Sequence, residues 1–209
     1  MGAHTVVHLV RHGEVHNPDG ILYGRLPGYG LSDAGRQMAD RLAAHFAGTD
    51  VRHLVASPLQ RATETAAPIA AALSLDIATD DRLIEAANDF EGQRWGGKDG
   101  IMSRRDNWPK LRNPLRPSWG EPYLDIAVRM SMAVEAARLG GLGHEAVCVS
   151  HQLPIWTLRC AVAGHRLWHD PRRRECALAS VTSLHFDDER LVRVAYTEPC
   201  GQVGSGVGA

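Results

Sequence analysis

The sequence predicts an α/β fold in which a central sheet is covered by helices on both faces. Apolar, β-rich runs alternate with segments of helical periodicity from the amino terminus to about residue 186, and this alternation is typical of the class. Polar side chains follow several of the apolar runs, at the edge where open α/β sheets build their sites. A length of 209 residues is sufficient for one domain with a sizeable core.

The first strand and helix are predicted from the opening residues. Residues 5–10 form a β-rich run, Thr-Val-Val-His-Leu-Val, that Gly13 follows closely, so we expect a buried strand. An apolar-periodic segment begins after Ser32 and continues to about Phe46. Because serine is a favoured N-cap, we expect Ser32 to cap this helix.

A second strand and helix follow directly. Residues 53–56 are predicted to form a short strand. The dipeptide Ser57-Pro58 predicts a helix start, with serine as the N-cap and proline in the first turn, and the helix extends to about Leu73. A brief strand is expected at residues 75–78.

The carboxyl half begins with a long connection at residues 88–122. This stretch is rich in Gly, Pro, Trp and Arg, and its length predicts a lid inserted in the fold. We expect a single domain over residues 1–198 and a disordered tail at 199–209, where Gly, Ser and Val predominate. The other predicted elements are helices at 123–139 and 154–162, a strand at 146–149, and a hairpin of strands 179–186 and 191–196.

The composition excludes several classes of function. Lys and Arg number 23 against 24 Asp and Glu, which argues against a general nucleic-acid or membrane-surface binder. No apolar run approaches the length of a membrane span, so we expect a cytoplasmic protein. The four cysteines lack CxxC spacing, and the histidines show no zinc-ligand spacing, so we expect no metal.

Functional side chains are expected where strands end and a helix begins. Arg11 and His12 follow the first strand, and His151 follows the strand at 146–149. Arg61 falls in the first turn of the second helix, and Glu85 follows a further apolar stretch. An imidazole is a nucleophile near neutral pH, and an arginine at a helix start is suited to an anion.

With these residues, the chain resembles the histidine phosphatase superfamily, in its phosphoglycerate-mutase-like branch, over about residues 6–186. The resemblance implies a three-layer α/β/α sandwich with a mostly parallel central sheet, one antiparallel strand and a lid insertion. The motifs that carry it are Arg11-His12-Gly13 with Asn17, Ser57-Pro58-x-x-Arg61-Ala62-x-x-Thr65-Ala66, Leu83-x-Glu85, Val149-Ser150-His151 and Ala179-Ser180-Val181-Thr182.

The resemblance also implies a catalytic role for each residue of the constellation. His12 would attack phosphorus and form a phosphohistidine, while Arg11, Arg61 and His151 would bind the phosphoryl oxygens. Glu85 would protonate the leaving alkoxide and then activate water, with no metal and no cofactor. Because Glu85 must be protonated in the first step, we predict that burial raises its pKa. Two neighbouring carboxylates, Asp89 and Glu91, are alternatives for the same role.

The loop after the nucleophile is expected to contact the substrate through Asn17, Tyr23, Gly24 and Arg25. A basic and aromatic segment at 102–119 is expected to attract an anionic substrate rather than single-stranded nucleic acid. The run Arg172-Arg173-Arg174 is expected on a solvated loop.

The leading hypothesis is a metal-independent phosphomonoesterase, because the sequence Glu14-Val15-His16-Asn17 lacks the serine that usually follows Arg-His-Gly-Glu in mutases. A cofactor-dependent phosphoglycerate mutase is the alternative, and a non-catalytic binding protein on the same scaffold is a third. We expect a small phosphorylated metabolite as partner, no nucleic acid and no membrane, and leave a homodimer open. The sequence does not select a substrate.

Overall fold

The computed structural model describes residues 2–94, 100–101, 106 and 120–201. Six strands of these residues form one sheet. They are β1 (His4–Arg11), β2 (Val51–Ala56), β3 (Ala78–Thr79), β4 (Glu145–Ser150), β5 (Val181–Asp187) and β6 (Arg190–Thr197). The spatial order is β3-β2-β4-β1-β5-β6, so β1 and β4 lie side by side in the middle.

The sheet is mostly parallel. β1 pairs in parallel with β4, and β2 pairs in parallel with both β3 and β4. β5 is antiparallel to β1 and to β6. Of the strands described, β5 alone therefore runs against the others, which confirms the predicted mostly parallel sheet with one antiparallel strand.

Four α-helices of the described residues cover the two faces of the sheet. In β4, Ala146 and Cys148 pack into one hydrophobic core, and Val147 and Val149 pack into another, because successive side chains of a strand point to opposite faces. The first core also contains residues of α3 (Tyr123–Gly140) and α4 (Gln152–Val162), and the second contains residues of α1 (Asp33–Phe46) and α2 (Gln60–Leu73). The predicted layers of helix, sheet and helix are confirmed.

The predicted helix starts have different outcomes. Ser32 caps α1, where its Oγ accepts the Gly35 amide at 3.0 Å. The prediction that Ser57 caps α2 is wrong, because the helix begins at Gln60 and Leu59 is its N-cap, without a side-chain hydrogen bond. Ser57 is buried and its hydroxyl has a partner in another element, described below.

Other boundaries shift by a few residues. The strand predicted at 75–78 is present only as β3, and the strand predicted from residue 179 begins at Val181 because Ala179 has a φ of 54°. Of the predicted lid, the ends are described and meet in an antiparallel bridge between Asn88 and Gly120. Most of the basic segment 102–119, and the tail beyond residue 201, lie outside the described residues.

Candidate active site

Two histidines meet at the carboxyl ends of β1 and β4. The strands pair Arg11 with Ser150 in register, and the His12 amide donates to the Ser150 carbonyl at 3.1 Å. His12 and His151, one residue beyond each strand, have ring centroids 5.1 Å apart and are both fully buried. Parallel pairing in this register therefore brings together two side chains that are far apart in the chain.

The hydrogen bonds of His12 define its tautomer. Its Nδ1 lies 2.8 Å from the Gly13 carbonyl, and because a carbonyl oxygen can only accept, Nδ1 carries the proton. Its Nε2 accepts from Arg61 Nε at 3.3 Å. Burial, with the nearby charges of Arg61 and Arg11, holds the pKa of His12 well below its ordinary value. His12 is therefore a neutral imidazole with its lone pair on Nε2.

The turn that follows His12 is held by close backbone contact with α1. A Cβ at Gly13 would lie 2.7 Å from the Gly35 carbonyl oxygen, so the two backbone segments can approach this closely only because residue 13 is a glycine. The Gly13 amide donates to Thr65 Oγ1 at 3.0 Å, and that hydroxyl donates to the Arg61 carbonyl at 2.7 Å. The loop that follows His12 is thus fixed to both α1 and α2.

Arg61 extends from the first turn of α2 into this buried site. Its Nη2 donates to the Gly24 carbonyl at 2.7 Å, and its guanidinium lies 4.8 Å from the centroid of the Tyr23 ring. Tyr23 in turn stacks on Tyr29, with centroids 5.1 Å apart. The loop after His12 therefore orients Arg61 through the Gly24 carbonyl and the face of the Tyr23 ring.

Arg11 and His151 complete the cationic and hydrogen-bonding side of the site. Arg11 is buried and its Nη1 donates to the Cys176 carbonyl at 2.7 Å. His151 Nε2 lies 2.8 Å from Ser57 Oγ, and burial together with Arg61 lowers its pKa well below the ordinary value. Among the described residues, His151 Nδ1 has no hydrogen-bond partner. His151 is also the N-cap of α4, so the helix start faces the same edge.

Glu85 is the buried carboxyl group of the site, 4% exposed. Its Oε1 accepts the Ala86 amide at 2.8 Å, whereas Oε2 finds no partner in the part of the chain that the structure describes. Burial raises the pKa of Glu85, against the opposing effect of Arg61, which confirms the predicted direction. The alternative Glu91 is half-buried, and its Oε1 accepts the Arg25 amide at 3.0 Å.

The predicted substrate loop packs against the site in several ways. The Asn17 side chain closes a turn, because its amide donates to the Ile21 carbonyl and accepts the Ile21 amide. Arg25 Nε donates to the Glu85 carbonyl at 2.7 Å, and its Nη2 pairs with Glu121 at 3.0 Å. Tyr23 and Gly24, as described, contact Arg61.

Two residues of the site were not predicted from the sequence. Ser57 contacts His151, and the only signal was its place in the Ser-Pro motif. Arg174, expected on a solvated loop, is half-buried, with Nε 2.9 Å from His169 Nε2 and Nη1 3.3 Å from Gln152 Oε1. Within the described ranges, no group of three or more His, Cys, Asp or Glu side chains is placed to hold a metal. No helix in the described part of the chain has the length and apolarity to cross a membrane.

Comparison with known proteins decides the family. The family model of the histidine phosphatase superfamily (branch 1) matches residues 7–199. The chain belongs to this superfamily. Histidine phosphatases and their relatives include proteins named as phosphatases and as phosphoglycerate mutases, so membership alone does not choose between the two reactions.

Several relatives match nearly the whole length of this chain. It is 61% identical to the uncharacterized protein Rv0525 of Mycobacterium tuberculosis, over 95% of this chain and 98% of the relative. It is 27% identical to phosphoserine phosphatase 1 of Hydrogenobacter thermophilus, over 92% of each chain. Its fold is similar to that of Bacillus stearothermophilus YhfR, with a TM-score of 0.73 at 26% identity over 90% of this chain and 94% of the other.

Proposed function

We propose that this protein hydrolyses a small phosphomonoester through a phosphohistidine on His12, without a metal or a cofactor. The observation that carries the proposal is the hydrogen bond from His12 Nδ1 to the Gly13 carbonyl. It leaves the Nε2 lone pair in a buried site lined by arginine, where an unprotonated nucleophile is required.

The charges around His12 suit a phosphoryl group. A phosphomonoester brings up to two negative charges, and transfer requires donors on the equatorial oxygens. Arg11 and Arg61 are buried next to His12 and supply permanent positive charge. His151 supplies a further donor: if Ser57 donates to Nε2, the proton is on Nδ1, which has no other partner among the described residues. These groups would hold the three oxygens while phosphorus meets Nε2.

Glu85 supplies the proton that the leaving group requires. Its raised pKa keeps a larger fraction protonated near neutral pH. As Nε2 forms its bond to phosphorus, the bond from phosphorus to the ester oxygen breaks, and that oxygen takes the Glu85 proton. Water then attacks the phosphohistidine, Glu85 accepts a proton from it, and the P–N bond breaks. Inorganic phosphate leaves, and both His12 and Glu85 return to their starting states.

The test is phosphate release from p-nitrophenyl phosphate in the presence of EDTA. We expect H12A to lose roughly 1,000-fold or more of kcat/KM. H16A is the matched control, because His16 is an exposed histidine nearby in the chain, and it should retain activity. After denaturation, the wild-type protein should carry label from a radioactive phosphomonoester in an acid-labile, base-stable form that H12A lacks.

Other outcomes would redirect the proposal. Hydrolysis that survives in H12A would show that His12 is not the nucleophile. Release of phosphate that stops in EDTA would contradict the metal-independent route. If phosphate is not released, and 2- and 3-phosphoglycerate interconvert only with a 2,3-bisphosphoglycerate primer, the protein is a mutase.

A further inference from the structure

The run Asp170-Pro171-Arg172-Arg173-Arg174 contains one arginine that differs from its neighbours. A short 3-10 turn, Pro171–Arg173, begins after Asp170, whose carboxylate pairs with Arg172 at 2.8 Å. Arg173 is exposed, whereas Arg174 is half-buried beside the active site. The turn therefore separates three adjacent guanidinium groups into two on the surface and one inside.

The hydrogen bonds of Arg174 go to neutral acceptors. They are His169 Nε2 at 2.9 Å and Gln152 Oε1 at 3.3 Å. Of the carboxylates in the described residues, none lies within ion-pair distance of Arg174. Arg129, by contrast, pairs with Glu121 at 2.7 Å. Burial therefore removes part of the water around the Arg174 charge without placing a carboxylate in direct contact with it, and such a cation favours an anionic ligand.

His169 holds Arg174 without competing for its charge. Its Nδ1 lies 2.7 Å from the Leu167 carbonyl and must donate, so its Nε2 accepts from Arg174. The imidazole ring lies against Tyr123 and Trp156, with centroids 5.6 and 5.9 Å away. His169 is thus a fixed, neutral support that orients the guanidinium.

Gln152 connects Arg174 to the phosphoryl subsite. Its Oε1 accepts from Arg174, and its Nε2 donates at 3.3 Å to the Cys176 carbonyl, the same oxygen that accepts from Arg11 at 2.7 Å. Arg174 also interacts electrostatically with Glu85 and Arg11. Because Glu85 protonates the leaving oxygen in the proposed mechanism, Arg174 belongs to the side of the site that holds the leaving group.

We infer that Arg174 is a specificity residue that binds a carboxylate on the leaving-group portion of the substrate, so that the protein prefers phosphomonoesters of hydroxy acids. The inference rests on the proposed phosphatase function. A planar carboxylate matches the fork of a guanidinium, and its single negative charge matches the single positive charge of Arg174.

The test compares two substrates that differ in this group. 3-Phosphoglycerate carries a carboxylate where glycerol 3-phosphate carries a hydroxymethyl group. We expect wild type to prefer the former in kcat/KM by roughly tenfold to hundredfold, in keeping with a charge-assisted hydrogen bond. R174A should abolish the preference, and R174K, which retains charge but not the fork, should retain part of it. R173A removes an exposed arginine next in sequence and should leave the ratio unchanged.

The ratio of the two kcat/KM values isolates the carboxylate contact, because a general loss of activity in R174A lowers both values equally. An unchanged ratio in R174A, or no preference in wild type that hydrolyses p-nitrophenyl phosphate, would overturn the inference and leave the phosphatase proposal intact. R174A could instead change the preference for fructose 1,6-bisphosphate over fructose 6-phosphate and leave that for 3-phosphoglycerate over glycerol 3-phosphate unchanged. That result would overturn the inference and assign Arg174 to a second phosphate group of the substrate.

Binding provides an answer even if no substrate is turned over. In the H12A background, we expect R174A to raise the Kd of 3-phosphoglycerate, measured by calorimetry, by roughly tenfold or more, and to leave that of glycerol 3-phosphate nearly constant. If wild type releases no phosphate but this difference is present, the phosphatase proposal fails and the carboxylate site stands. If R174A raises the Kd values of 3-phosphoglycerate and glycerol 3-phosphate by the same factor, the inference fails.

Discussion

His12 and His151 lie 5.1 Å apart, between ring centroids, because β1 and β4 are parallel neighbours that end in register. The two imidazoles are equally buried but have different partners. His12 Nδ1 donates to the Gly13 carbonyl in its own turn, whereas His151 Nε2 contacts the hydroxyl of Ser57, the residue that follows β2. In the proposed mechanism, the first histidine is a nucleophile and the second a hydrogen-bond donor, and these different partners suit the two roles.

Ser57 is expected to position His151. S57A leaves a buried imidazole nitrogen without its partner at 2.8 Å, and we expect kcat with p-nitrophenyl phosphate to fall roughly tenfold to hundredfold. The inhibition constant of inorganic phosphate should rise in parallel, which a merely structural role would not require. T63A is the control, since it removes a hydroxyl that donates to the Gln60 carbonyl within α2. Equal inhibition of S57A and wild type by phosphate would contradict the assignment.

Glu85 is expected to act as an acid whose effect depends on the leaving group. E85Q should lower kcat/KM for the alkyl ester glycerol 2-phosphate by roughly 100-fold or more, and that for p-nitrophenyl phosphate less, because nitrophenolate leaves without a proton. In wild type, kcat/KM for the alkyl ester should fall as pH rises through the raised pKa of Glu85. This descending limb should be missing in E85Q.

The matched variant is E91Q, at the alternative carboxylate. It should leave the dependence on leaving group and pH unchanged. If E91Q loses the descending limb and E85Q retains it, the proton donor is Glu91.

The buried histidines are expected to make folding stability depend on pH. The pKa of His151 is lowered well below its ordinary value of 6.5, so below pH 6.5 the unfolded chain binds a proton that the folded chain does not. Stability should therefore fall as pH is lowered from about 6.5, by up to about 1.4 kcal/mol per pH unit for this group. Urea unfolding of wild type and H151Q at pH 7.5 and 5.5 measures the difference.

The comparison with H151Q is needed because Glu85, whose pKa is raised, contributes in the opposite direction over part of this range. Between pH 7.5 and pH 5.5, the free energy of unfolding of wild type should fall relative to that of H151Q. A difference that does not change with pH would mean that folding does not lower the pKa of His151.

Gly35 is expected to be intolerant of any side chain. A Cβ at this position would overlap the Glu14 carbonyl oxygen, so G35A should force the loop after His12 away from α1. We expect a loss of about 1–3 kcal/mol in the free energy of unfolding, with a lower kcat for p-nitrophenyl phosphate. Q37A, at an exposed position of α1, is the control and should change neither. Full activity and stability in G35A would show that the loop and helix are not coupled.

The sequence predicts the part of the site that depends on strand ends. His12 and His151 follow apolar runs, and Arg61 falls in the first turn of a helix, so local pattern and resemblance suffice to bring them together. Ser57 was misassigned because a serine before proline also fits a helix cap, while its actual partner is 94 residues away. Arg174 was missed because a run of three arginines resembles a solvated surface. Only the turn at Pro171–Arg173 decides which of them points inward.

The same turn has a consequence for how substrate preference can evolve. Pro171–Arg173 contributes no buried residue, whereas β1, which leads to His12, is paired on both sides and buried in both cores. Substitutions and insertions at residues 171–173, which would redirect Arg174, can therefore accumulate with little loss of stability while the chemical step is conserved. Related proteins with one reaction centre and divergent substrates would be expected to differ in this segment, and it is the natural region to randomise when a new specificity is sought.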